Sequence, residues 1–62
     1  MERAMWVDER EVSKIMGVAI QTLRNWRFKQ IGPVYSKVGR AVRYRVDDVI
    51  RFMEERRVSN EN

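Results

Sequence analysis

Two helical patterns in this chain are separated by only two to three residues, with a glycine in the gap. That short connection limits the fold more than any other feature. Asp8 is placed to cap the first helix, and Glu11 three residues later completes a capping box. Val7 before the cap and Val12 at the fourth helical position form a hydrophobic staple. Val12, Ile15 and Met16 recur at i, i+3 and i+4, which gives one apolar face. Gly17 then tolerates the left-handed conformation that ends helices. The spacing predicts a first helix over 9–16. Val18 is a buried link. A second helix begins at Ala19 or Ile20 and runs to Lys29, although Ala19 has no side-chain oxygen to cap it.

On a helical wheel Ala19, Ile20 and Trp26 cluster about Leu23 and face the core. Gln21, Asn25 and Phe28 lie opposite, with Thr22, Arg24 and Lys29 on the flanks. Arg27 sits at the apolar edge, where its stem packs and its head reaches outward. Ile31-Gly32-Pro33 stops the helix, because proline disfavours helical geometry in the residue before it. Val34 to Val38 and Ala41 to Val46 are β-branched and aromatic runs separated by Gly39-Arg40, a hairpin signal. A two-residue turn pairs Tyr35 with Tyr44. A three-residue turn aligns Val34, Ser36 and Val38 with Val46, Tyr44 and Val42. Both place Arg40 at the tip and put Arg43 and Arg45 on one face.

A third helix is expected from Asp47 as cap, with Asp48 favoured at the positive helix N-terminus. Val49, Phe52, Met53 and Arg56 share a face, and the helix ends near Arg57. The expected fold is mostly α with a small β-hairpin, ordered α-α-β-β-α. It forms one domain over 1–62, with flexible ends at 1–5 and 58–62. Leu23 and Trp26 should join the second helix to Val12, Ile15 and Phe52, with Tyr35 and Tyr44 as further core aromatics. A closely spaced helix pair followed by a hairpin is the pattern of a winged helix-turn-helix, whose second helix enters the major groove.

Composition removes several functions. The chain has 62 residues, no Cys and no His. Disulfides and zinc–thiolate sites are therefore excluded, and the commonest metal ligand and acid–base group is missing. Ser13, Ser36 and Ser59 have no histidine to activate them. The glycines at 17, 32 and 39 are too scattered for a phosphate loop. No apolar run approaches a membrane span, and residues 1–5 lack the pattern of a signal peptide. The expectation is a cytoplasmic, non-enzymatic protein with no cofactor, no metal, no membrane and no small-molecule substrate.

The net charge of +4 hides a sharper pattern. Residues 12–46 carry Lys14, Arg24, Arg27, Lys29, Lys37, Arg40, Arg43 and Arg45, and no acid. Both flanks are net acidic. An uninterrupted basic centre of this kind suits a polyanion.

One family shares this arrangement. Trp6-Val7-Asp8, Glu11-Val12, Met16-Gly17-Val18, Thr22-Leu23-Arg24-Asn25-Trp26, Gly32-Pro33, Lys37-Val38-Gly39-Arg40 and Val42-Arg43-Tyr44 resemble small winged helix-turn-helix proteins. Those are the excisionase and AlpA-type proteins, relatives of the MerR DNA-binding domain. The likeness covers 6–54 and departs at Ala19, where such proteins usually carry a capping Ser or Thr. It implies a prophage or mobile-element protein, prokaryotic or phage-encoded and nucleoid-associated. Such a protein either bends double-stranded DNA to direct site-specific excision or regulates transcription as AlpA-like proteins do. We favour the accessory factor for excision. A reading from another class is an adaptor that docks a protein such as an integrase.

The helix-two face suits base reading by its own chemistry. Gln21 and Asn25, one turn apart, can each make a bidentate contact to adenine. Phe28 can meet a thymine methyl. Thr22, Arg24 and Lys29 flank this face where phosphates run. Lys37, Arg40 and Arg43 belong to the wing, at phosphates or in the minor groove. So few base contacts fall short of genomic specificity, so the expected form is a free monomer that binds DNA as adjacent copies of itself.

Overall fold

The fold is taken from a computed structural model that describes residues 5–59. Of the ends read above as flexible, 1–5 and 58–62, residues 1–4 and 60–62 lie outside the described residues. The order of elements is β1 (Trp6–Val7), α1 (Glu9–Met16), α2 (Ile20–Lys29), β2 (Ser36–Val38), β3 (Ala41–Arg45) and α3 (Val46–Glu54). Three helices pack with a three-stranded antiparallel sheet in the order β1-β3-β2.

Helix α1 has the predicted limits because both ends are satisfied locally. The Asp8 carboxylate accepts the Glu11 N–H at 3.0 Å. At the other end Gly17 takes φ 71°, and its N–H donates to the Ser13 carbonyl at 2.8 Å. The Ser13 hydroxyl then donates to the Val18 carbonyl at 2.6 Å, which fixes the turn before α2. Helix α2 starts without a side-chain cap, as Ala19 requires.

Its end differs in mechanism from the expectation. Gln30, not the proline segment, stops the helix by adopting φ 61°. The Gln30 N–H donates to the Arg27 carbonyl and the Ile31 N–H to the Trp26 carbonyl, at 3.2 and 2.9 Å. This is the Schellman arrangement. Gly32, at φ 92°, follows because the chain passes over Trp26. A Cβ at Gly32 would lie 2.9 Å from the indole.

The hairpin takes the two-residue register: Ser36 opposite Arg43, Lys37 opposite Val42, Val38 opposite Ala41. Gly39 carries φ 62° and Arg40 does not share the positive φ. That is the demand of a type II′ turn, with glycine at the first central position. Strand β2 starts at Ser36, later than the expected Val34.

The order α-α-β-β-α is corrected by a strand at the front. Trp6 and Val7 pair with Arg45 and Tyr44. Two residues are too few to show alternation, so periodicity could not find them. The same strand corrects the start of α3. The Val46 N–H donates to the Met5 carbonyl at 3.0 Å, so the helix begins at Val46 without a side-chain cap. Asp47, expected as the cap, lies in the first helical turn beside Asp48, where both still meet the positive end of the helix.

The core takes one fully buried residue from each main element: Val12, Leu23, Tyr44 and Val49. Val7, Met16, Val18, Trp26 and Val42 pack around them. Trp26 meets Phe52 with ring centroids 5.6 Å apart. Three core expectations are corrected, the first being Ala19, which stands exposed ahead of the first turn of α2. Ile15 is 41% exposed, because the thin core reaches only the arc of α1 between Val12 and Met16. Tyr35 is 38% exposed; it precedes β2 and sits at the core edge, 6.0 Å from the Tyr44 ring.

Candidate nucleic-acid interface

Burying Leu23 turns the opposite side of α2 to solvent. Gln21 and Asn25 are both exposed there, and Gln21 Nε2 donates to Asn25 Oδ1 at 3.2 Å. The two amides therefore form a row along one face, as their spacing predicts. Asn25 Oδ1 keeps a second lone pair for an outside donor. Phe28 continues the row and is 89% exposed. Thr22 is half-buried on the flank, and Lys29 is exposed at the C-terminal end.

The arginines of α2 are not free cations. Arg24 is 54% exposed, yet its Nη2 and Nε donate to the two oxygens of Glu9 at 2.7 and 3.3 Å. Arg27 donates from Nη2 to Glu9 Oε1 at 3.1 Å and from Nη1 to the Tyr44 hydroxyl at 2.9 Å. Its guanidinium also lies over the Tyr35 ring, 5.8 Å from the centroid. Arg27 thus takes the core-edge place that the wheel gives it.

These contacts set the electrostatics. Hydrogen bonds from Arg24, and then from Arg27, hold the Glu9 carboxyl below its ordinary value against the opposing effect of burial. Burial works against the charge on Arg27, and the bonds it donates to Tyr44 and Glu9 outweigh it, so its pKa is raised. The Glu11 N–H chiefly holds the Asp8 carboxyl low.

The hairpin cations divide between two sides. Paired residues share a face and neighbours alternate, so Lys37 lies with Val42 and Arg43 lies with Ser36. Arg43 is exposed, and its Nη1 donates to the Val42 carbonyl at 2.8 Å. Arg45 shares the face of Arg43, but its Nε is buried with no hydrogen-bond partner among the described residues. Arg40 stands exposed in the turn.

A groove of about 370 Å³ opens between the start of α1, α2 and the hairpin. Arg10, Arg24, Arg27, Arg40 and Arg43 line it, together with Asp8 and Glu9. Of the residues selected from sequence, it gathers Arg24, Arg40 and Arg43. Lys29 and Lys37 are not part of its lining, and Gln21, Asn25 and Phe28 form the separate row on α2. Sequence reasoning missed Arg10 and Glu9. Both fall in an acidic-flank segment, and only the packing of α1 against β3 brings them to the groove.

No helix among the described residues is long and apolar enough to cross a membrane. Among the same residues, no His, Cys, Asp and Glu side chains group closely enough to hold a metal. The helix-turn-helix domain model matches residues 6–57, from the first residue of β1 to just past α3. No curated protein matches the chain. With its two helices joined through Gly17, Val18 and Ala19, and an exposed polar row on the second, this chain belongs to the helix-turn-helix domain family, a DNA-binding and typically non-enzymatic class.

Proposed function

We propose that this protein binds double-stranded DNA in the winged helix-turn-helix manner, with α2 in the major groove and the hairpin as wing. The observation that carries the reading is the exposed Gln21–Asn25 row on the helix whose other side buries Leu23. Gln21 and Asn25 read adenine edges, and Phe28 meets a thymine methyl. Thr22, Arg24 and Lys29 contact the phosphates that border the major groove. Lys37 and Arg43 contact backbone along the wing, and Arg40 enters the adjacent minor groove. There the negative potential of narrow A·T-rich DNA attracts arginine. No metal or cofactor takes part.

The resemblance to excisionase and AlpA-type proteins supports a more specific role: an accessory factor that bends DNA for excision of a mobile element. An AlpA-like transcription regulator is the second role the resemblance supports. Two bidentate contacts give roughly 2–6 kcal/mol of discrimination, below the roughly 4–10 kcal/mol that separates specific from non-specific sites. Adjacent copies on DNA supply the difference.

The test is binding to random and A·T-rich duplexes across a salt series. About five phosphate contacts give a log–log slope near −4 to −5. A flat salt response, with capture of an integrase instead, would replace DNA binding with the adaptor role. Titration of duplexes carrying one or several sites, with sedimentation of the free protein, tests assembly on DNA. Equal per-site affinity on both, or a tight dimer without DNA, defeats it.

A further inference from the structure

Among the described residues, Glu9 is the acid paired with the α2 arginines, and it serves both of them at once. It is the first residue of α1 and its side chain is 21% exposed. Arg27 holds one side of its carboxylate. That arginine is itself fixed by the Tyr44 hydroxyl and by the Tyr35 ring, and its side chain is only 17% exposed. Contacts therefore run from Tyr44 in the core to Arg27, to Glu9, and out to Arg24 at the surface.

Arg24 meets Glu9 through one edge of its guanidinium, Nε with Nη2. Its Nη1 makes no hydrogen bond among the described residues. The remaining Nη1–Nη2 edge belongs to a residue that lines the arginine groove. A guanidinium can present two such edges to two different anions, because its donors form a rigid planar fork.

We infer that Glu9 is a positioning residue: it grips Arg24 by one edge so that the other edge receives a backbone phosphate of bound DNA. This rests on the DNA-binding reading above. The opposite role, an internal acid that competes with phosphate for Arg24, is disfavoured by Arg27. Displacing Glu9 would strip a mostly buried arginine of its carboxylate, which is costly. Glu9 therefore stays in place while DNA arrives, and Arg24 is already ordered. Removing the ordering cost of a long side chain is what lets that phosphate contact form.

The two roles differ in sign. Simple electrostatics says that deleting an acid beside a basic groove strengthens DNA binding and leaves the number of phosphate contacts unchanged. Positioning says the reverse. Glu9→Gln should weaken binding to every duplex by about tenfold, the scale of one charge-assisted contact. It should also make the salt slope shallower by about one, despite the higher net charge. Arg24→Gln added to Glu9→Gln should lower affinity no further. Glu9→Asp keeps the charge but is too short to bridge both arginines, so it should lose affinity at unchanged net charge. Tighter binding by Glu9→Gln at an unaltered slope would overturn the inference.

A cooperative melt of each variant guards against misfolding. If Glu9→Gln does not fold, Glu9→Asp decides, since it keeps the charge and shortens the reach. A slope shallower by about one supports the inference, and an unchanged slope overturns it. The two readings fail separately. A wild-type protein with no salt-dependent duplex binding removes the DNA reading, whereas normal wild-type binding with a tighter Glu9→Gln removes only the role of Glu9.

Discussion

The arginines at the Glu9 end of α2 and the arginine at the hairpin tip belong to one basic block in the sequence, yet they occupy different physical states. Arg24 and Arg27 are tied to Glu9, and Arg27 also to Tyr44. Arg40 stands in a two-residue turn, exposed, with no hydrogen bond given to its side chain among the described residues. One region is anchored to the core through a ladder of contacts. The other is a cation on a short loop. A charge count treats them alike, but stability couples only to the first. An exposed ion pair contributes little by itself. The value of the first region lies in where it holds a guanidinium, whereas the value of the second is charge delivered at a tip.

The largest effect should come from the support shared by both regions. Trp26 packs on the core and against Phe52, and truncating a core Trp costs about 3–5 kcal/mol. A domain of this size holds little more than that. Trp26→Ala should therefore be largely unfolded at 25 °C, with helical circular dichroism and DNA binding lost together. A cooperative melt with binding alone lost would make Trp26 a DNA contact and break the comparison at its base.

Gly32→Ala should come next, at about 1–3 kcal/mol. The new Cβ would press on the indole while the backbone holds a φ that L-residues avoid. Denaturant unfolding measures it. An unchanged midpoint would mean that the chain after α2 moves freely over Trp26.

A smaller effect, with a defined pH window, separates the anchored region from the free one. The folded Glu9 carboxyl titrates below its ordinary value of 4.5. Its contribution is therefore complete above that ordinary value and is lost as pH falls through the depressed folded value. The groups facing it are Arg24 and Arg27, whose raised pKa values keep both charged in that range. Melts from neutral pH down into the acid range should show Glu9→Gln with a shallower acid loss than wild type. Parallel curves would place the acid sensitivity elsewhere, with Asp8 the next group to test.

The smallest effect on stability belongs to Arg40→Ala, within about ±0.5 kcal/mol. Its effect on binding should still be clear: weaker on all duplexes, with a salt slope shallower by about one. An unchanged slope removes the wing from the interface. Loss confined to A·T-rich duplexes would show instead that Arg40 reads groove width.

Local signals made much of this legible in advance. The limits of α1 follow from Asp8 bonding a group three residues away and from Gly17 bonding one four away. The hairpin tip follows from a glycine that a tight turn demands. The Gln21–Asn25 row follows from helical spacing alone. These features were readable because each is decided within a few residues, at little cost in chain closure. The tertiary structure decided the rest. β1 exists only because β3 is there to pair with it, and α3 starts at Val46 because Met5 comes round to accept its N–H. Ile15 is left at the surface because a core of four fully buried residues is too narrow to cover the whole apolar face of α1. Glu9 reaches Arg24 and Arg27 across 15 and 18 positions of sequence, a meeting that no pattern in the flanks announces. Periodicity and caps record what a residue does to its neighbours. Which distant charge it meets is set by packing, because only the closed chain brings the two within a hydrogen bond's reach.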